Sequence, residues 1–137
     1  MVRHRRISFA FPRALCLGRA SEFKLVRETG KPWTGKYLIL VVLHRETSFK
    51  SRVGIITTRR VGKAAVRNRI RRRIREILRL NQHQIREGYW LVVIARVRSA
   101  FVSYRELERD WLRLAERASI LARKPNGSNP ADLAQSV

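Results

Sequence analysis

The residues from Val61 to Arg79, VGKAAVRNRIRRRIREILR, limit the possible folds more than any other stretch of the chain. Val66, Ile70, Ile74, Ile77 and Leu78 recur there at spacings of three and four. At roughly 100° per residue they share one arc of about 120°, the width of a stripe that packs on a core. The pattern predicts a helix over about 63–84, ending before Gly88. Around the stripe stand Lys63, Arg67, Arg69, Arg71, Arg72, Arg73, Arg75 and Arg79, with Glu76 as the one acid. Asn68, Arg71, Arg72, Arg75 and Arg79 fall roughly opposite the apolar arc, while Arg67, Arg69 and Arg73 lie nearer its edges. The wheel therefore predicts a helix anchored by one side, with its guanidiniums facing outward as a single wall. A merely solvated face mixes signs to gain i,i+4 pairs. This one does not, and a polyanion is the partner that such a charge run fits.

The remaining composition points the same way. The chain has 137 residues, the size of one domain, and a net charge of +21 from 31 Lys and Arg against 10 Asp and Glu. Self-repulsion on that scale opposes a compact state unless a polyanion offsets it. The excess is local: no acid occurs from Thr47 to Arg75, whereas Glu106, Glu108, Asp110 and Glu116 alternate with arginines after Ser103. Hydrophobic residues at 45% supply an ordinary core. The single cysteine, Cys16, excludes an internal disulfide and a Cys-pair metal site, and fits a reducing compartment. The runs YLILVVL and YWLVVIA fall short of the roughly 20 apolar residues of a membrane span. MVRHRRISFAFPR carries charge without the apolar core of a secretory signal. A cytoplasmic protein with no membrane contact is expected.

Along the chain, residues 1–12 read as a basic arm, 13–123 as the folded domain and 124–137 as a disordered Pro/Gly-broken tail. ASEFKLVRETG predicts a short helix capped by Ser21, with Phe23 and Val26 on its apolar side and Gly30 as its stop. KPWTG reads as a turn or short edge segment. Residues 36–44 predict a central strand, 52–59 a second strand paired to it as a hairpin, and 89–97 a third. SYRE at 103–106 has the form of a capping box, opening a helix with Leu107, Trp111, Leu114, Ala115, Ala118 and Leu121 on one face. Helices and strands in this order predict a sheet covered on one face by helices.

Arginine suits phosphate because its planar fork can bond two oxygens at once, and Asn68 can reach a sugar hydroxyl or base edge. Zinc-finger spacing, a zipper and a helix-turn-helix turn are all missing, which leans towards RNA rather than DNA. Two-metal hydrolysis needs gathered carboxylates, and here the acids are scattered. His4, His44 and His83 lie far apart and no activated nucleophile is evident, so neither catalytic residues nor metal ligands are expected. A membrane-surface helix would need a bulky aromatic face. The alternative that stays open is a ribosomal or other structural RNA-binding module.

RRVGKAAVRNRIRRRIRE, residues 59–76, resembles the signature of the bacterial ribonuclease P protein subunit, in which G-x-A-V-x-RNR-I leads into a basic helix. Arg67, Asn68 and Arg69 match the family's RNR, and Gly62, Ala65, Val66, Ile70, Arg71, Arg72 and Arg75 keep the surrounding pattern. LGRASEFKLVRETGK is similar to the family's first helix, RVGIITTRRVG to its RVG strand and VVIAR to its last strand, so the likeness covers about 13–118. The resemblance implies an α+β fold: a single-domain α/β sandwich with about four strands and a left-handed β-α-β crossover, like domain 2 of a small-subunit ribosomal protein. It also implies a monomer in a 1:1 complex with a catalytic RNA, which uses Mg²⁺ to cleave the 5′ leader from precursor tRNA. By the same resemblance Lys63, Arg67, Asn68, Arg69, Arg71, Arg72 and Arg75 contact the RNA subunit. A cleft holding the single-stranded leader would be lined by Phe23, Arg27, Tyr37, Val41, Arg59 and Arg60. Relatives carry aromatics where this chain has Arg27 and Val41, which moves weight from stacking to charge.

Overall fold

Strands with a residue period of two bury alternate side chains on opposite faces, and both faces of the sheet here are apolar. The computed structural model describes residues 15–46 and 50–122; the expected arm 1–12 and tail 124–137 lie outside them. Among the described residues, three α-helices, α1 (Ala20–Thr29), α2 (Ala64–Asn81) and α3 (Tyr104–Arg117), accompany four strands. The strands are β1 (Lys31–Thr34), β2 (Leu38–His44), β3 (Arg52–Ile56) and β4 (Tyr89–Ala95). Short 3₁₀ turns occupy Arg59–Val61, Gln82–Gln84 and Val97–Phe101. No helix among the described residues is long and apolar enough to cross a membrane.

The sheet runs in the order β1-β2-β4-β3. β2 pairs antiparallel with β1, Trp33 opposite Leu40, and with β4, Val41 opposite Val92. β3 pairs with β4 in parallel, Gly54 opposite Val92. The expected β2–β3 hairpin is therefore not formed. The β3-α2-β4 crossover returns β4 between the two strands, so β3 becomes an edge strand. The predicted edge segment KPWTG is the other edge, as β1.

One face carries Leu38, Leu40, Val53, Leu91, Val93 and Ala95. Against it pack Ile70, Ile74, Ile77 and Leu78 of α2 and Leu107, Trp111, Leu114 and Ala115 of α3. The stripe read from the sequence is thus the buried face of α2. Gly62, at φ 153°, turns the chain into that helix, and a side chain there would press on Val66. The opposite face carries Val41 and Val92 beneath Val26 and Leu17, with Phe23, Ile39, Leu43, Ile56, Trp90 and Ile94 around them. The helices therefore do not all lie on one face, as expected; α1 crosses to the other. The cause is the residue period of the strands: Ile39, Val41, Val92 and Ile94 make the second face as apolar as the first.

α1 begins at Ala20, two residues before the start that a Ser21 cap would set. Its first turn is instead held by Glu22, whose carboxylate accepts from the Gly18 N–H at 2.8 Å and the Arg19 N–H at 3.1 Å. Those two donors, and the Arg52 guanidinium beside them, hold the Glu22 carboxyl below the ordinary glutamate range. Arg52 donates to Glu22 at 2.8 Å and to the Cys16 carbonyl at 2.7 Å, tying the entering chain and α1 to β3. α3 opens with half of the expected capping box: the Ser103 hydroxyl accepts from the Glu106 N–H at 3.2 Å, while the Glu106 carboxylate accepts from the Tyr37 hydroxyl instead of reaching back.

Candidate nucleic-acid interface

On α2 the arginines form two populations, not one wall. Asn68, Arg72 and Arg75, together with Lys63 at the N-terminus, are exposed. The edge arginines turn inward instead. Arg69 Nη2 donates to the Ala100 carbonyl at 3.0 Å and Arg73 Nη1 to the Val102 carbonyl at 2.9 Å. Arg71 Nη2 donates to the hydroxyl of buried Thr57 at 2.6 Å. Arg79 pairs with Glu76, which holds the Glu76 carboxyl below its ordinary value and the guanidinium above its own. Arg67 is half-buried, with its Nε sequestered and unpartnered. The wheel had already put Arg67, Arg69 and Arg73 at the stripe's edges. What the sequence could not show is that the 97–102 segment lies within their reach.

A cleft of about 760 Å³ runs between α1 and α2 over the β3 edge. Ala20, Phe23, Lys24, Arg27 and Glu28 form its α1 wall, Ile55, Ile56 and Thr57 its floor, and Arg71 the facing wall. Phe23 rests against Gly54: a Cβ there would sit 2.3 Å from the ring, so only glycine lets the aromatic settle on the strand. Half-buried and packed on the second core face, Phe23 is at once a support of α1 and a wall of the cleft. A second cleft, of about 670 Å³, opens where α1 leaves the sheet uncovered. Ile39, Ile94 and Ala95 floor it, and Arg59, Arg60, Arg96 and Arg98 rim it. One stretch of chain, Ile55–Arg60, serves both clefts in succession. The result is an apolar trough bordered by cations, the combination that suits bases stacked between a tracked backbone of phosphates.

Of the six residues assigned to this cleft, the structure brings Phe23, Arg27, Arg59 and Arg60 to it. Val41 is 4% exposed beneath α1 and forms part of the core there. Tyr37 sits before β2, in the turn after β1, and packs on the other core. Its hydroxyl donates to Glu106 Oε2 at 3.3 Å, and desolvation together with that carboxylate raises its phenol above the ordinary value. A strand running from residue 36 would put Tyr37 on the same face as Val41, but β2 begins at Leu38 and that parity does not reach Tyr37. Arg96, Arg98, Lys24, Ile56 and Ile94 were not singled out from the sequence. A basic cluster directly after the last strand was the available signal for Arg96 and Arg98.

Three carboxylates near these surfaces are engaged in structure. Asp110, 1% exposed, accepts from the backbone N–H groups of Lys36, Tyr37 and Leu38 at 3.2, 2.9 and 3.0 Å. Glu22 and Glu76 hold arginines. Among the described residues no three His, Cys, Asp or Glu side chains gather as a metal site.

Comparison with known proteins agrees with this architecture. A family-wide sequence model described as Ribonuclease P matches residues 11–119. The ribonuclease P protein component of Clostridioides difficile is 39% identical over 111 residues, covering 80% of this chain and 96% of that protein. The RNase P protein of Thermotoga maritima superposes with a TM-score of 0.67 at 30% identity, over 74% of this chain and 96% of the other. That of Staphylococcus aureus, at 19% identity, shares the fold with a TM-score of 0.73 over 80% and 99%. With nearly the whole described domain matched in sequence and in fold, the chain belongs to the ribonuclease P protein family.

Proposed function

We propose that this chain is the protein subunit of a bacterial ribonuclease P, a monomer joined 1:1 to a catalytic RNA. In this reading the exposed face of α2, with Lys63, Asn68, Arg72 and Arg75, meets the RNA subunit. Arg67, Arg69 and Arg71 support that face from its flanks. The trough between α1 and the sheet takes the single-stranded 5′ leader of precursor tRNA. Phe23 offers a ring to a leader base, and Arg27, Arg59, Arg60, Arg96 and Arg98 follow the phosphates. Bond cleavage belongs to the RNA, with Mg²⁺ held there, in the cytoplasm. The single observation that carries the reading is the junction of two surfaces: the exposed Lys63, Arg72 and Arg75 of α2 and, past Arg71, a cleft that sets Phe23 between Lys24 and Arg27, with Glu28 as its one acid. Folded RNA is recognised by phosphates and shape, single strands by stacking; the chain has a surface for each, side by side.

Reconstitution tests it. Added to a bacterial ribonuclease P RNA at low Mg²⁺, the protein restores leader removal, while alone it leaves precursor tRNA intact. Cleavage by the polypeptide alone, or no stimulation of the RNA, overturns the proposal. Phe23→Leu keeps an apolar side chain on Gly54 but removes the ring. It is expected to narrow the preference for precursor over mature tRNA by several-fold, since one stacked base is worth about 1–3 kcal/mol. Equal loss for both RNAs would leave Phe23 a packing residue only.

A further inference from the structure

Phe101 is 83% exposed, far more than any other large apolar side chain among the described residues. The backbone on either side of it is fixed. Arg69 holds the Ala100 carbonyl and Arg73 the Val102 carbonyl, while Ala100 and Val102 pack against the larger core. Ser99 is fully buried, and its hydroxyl donates to the Arg96 carbonyl at 2.6 Å. Two arginines of α2 thus grip the chain one residue before and one residue after a ring that the fold leaves in water. Neither cleft of the trough includes Phe101 among its walls. Exposed Arg96, Arg98 and Arg105 stand along the same stretch of chain, and the nearest acid in sequence, Glu106, is bonded to Tyr37.

A rigid aromatic in a cationic field is the arrangement that stacks an unpaired nucleobase while guanidiniums meet its phosphates. We infer that Phe101 is a stacking platform for an unpaired base of the catalytic RNA subunit. The inference rests on the reading of α2 given under Proposed function. The RNA subunit is favoured over the leader because the ring is anchored by α2 and lies outside the trough. A protein partner would have to set an apolar surface among Arg96, Arg98 and Arg105, with Glu106 already bonded to Tyr37.

The test measures binding of the full-length protein to the RNA subunit alone, without precursor tRNA, across a salt series. Phe101→Ala and Phe101→Leu are each expected to weaken binding roughly 5- to 100-fold, and Phe101→Trp to retain it. The salt slope stays at the wild-type value, because no phosphate contact is removed. Thermal midpoints stay within about a degree of wild type, because the ring is mostly in water. Wild-type affinity in Phe101→Ala overturns the inference, as does full affinity in Phe101→Leu, which would make the contact merely apolar. A loss that appears only when precursor tRNA is present moves the base to the leader and overturns it equally, and a change confined to self-association makes the ring a protein contact. If the wild-type protein ignores the RNA subunit, the proposed function itself falls; if it binds and Phe101→Ala is indifferent, only this inference does.

Discussion

Asp110 shows how a single charged side chain can organise a turn 72 residues away in sequence. Its carboxylate gathers three consecutive backbone N–H groups at the β1–β2 turn, a polar cluster that would otherwise be left against the core. Removing it leaves those donors with no acceptor, and an unsatisfied buried donor costs about 1–3 kcal/mol. Asp110→Ala is therefore expected to destabilise the domain by about 3 kcal/mol and to lower the thermal midpoint by roughly 10 °C. Asp110→Asn, which keeps one acceptor oxygen, should lose less. A thermal melt within a degree or two of wild type would show that the turn is held by something else. In the sequence Asp110 reads as one of several acids alternating with arginines. The signal that it differs is its place beside Leu107, Trp111 and Leu114 on the apolar arc of α3, where a charge without a partner would be expensive. The identity of that partner is not local information. Tyr37 was misplaced for the same reason: the turn that takes it off the strand face is fastened by Asp110.

The element whose behaviour was most legible is α2, and it is also the one whose parts divide most sharply. Periodicity alone identifies its core stripe, which the structure keeps, and an exposed set opposite, of which Asn68, Arg72 and Arg75 stay exposed while Arg71 and Arg79 are half-buried on Thr57 and Glu76. The stripe's edges are another matter, because an arginine there either reaches solvent or folds back, according to what lies beside the helix. Arg69 and Arg73 fold back onto carbonyls, so Arg69→Ala and Arg73→Ala are each expected to cost about 1.5–3 kcal/mol, the range for hydrogen bonds to charged groups. Arg72→Ala and Arg75→Ala remove exposed charges and should shift stability by less than about 0.5 kcal/mol. They should instead weaken RNA binding and reduce its log–log salt slope by about one unit each. Melting curves and a salt titration on the four single variants separate the groups. A combined replacement of Arg67, Arg69, Arg71 and Arg72 would mix the two effects, and so would not leave the fold intact. Strand pairing was the least legible element property. The seven-residue interval between β2 and β3 invites a hairpin, and each strand's alternation is satisfied with any neighbour. The β3-α2-β4 crossover brings β4 in between them, a long-range outcome that neither strand's own pattern encodes.

At the scale of the whole molecule, +21 charges on 137 residues make salt act in opposite directions on folding and on binding. The folded domain concentrates cations that the unfolded chain spreads out: Arg59, Arg60, Arg96 and Arg98 share one rim, and Arg71 faces Lys24 and Arg27 across a cleft. With few acids to balance them, their mutual repulsion weakens the native state. The Debye length shrinks from about 30 Å at 0.01 M salt to about 8 Å at 0.15 M, so raising salt over that range screens repulsion across the trough. The free protein should therefore melt several degrees higher at the upper salt concentration, since a gain of about 1 kcal/mol moves the midpoint of a domain this size by roughly 4 °C. RNA affinity falls over the same range, because each neutralised phosphate releases a counterion that added salt makes costlier to release. RNA itself then acts as the specific counter-charge: bound at low salt, it should raise the midpoint more than 0.15 M salt does, through mass action on the native state. Melting curves of the protein at the two salt concentrations, with and without RNA, decide the matter. A midpoint that drops as salt rises would mean that internal ion pairs such as Arg52–Glu22 outweigh the repulsion, and that the charge excess is dispersed in the fold rather than held ready for a polyanion.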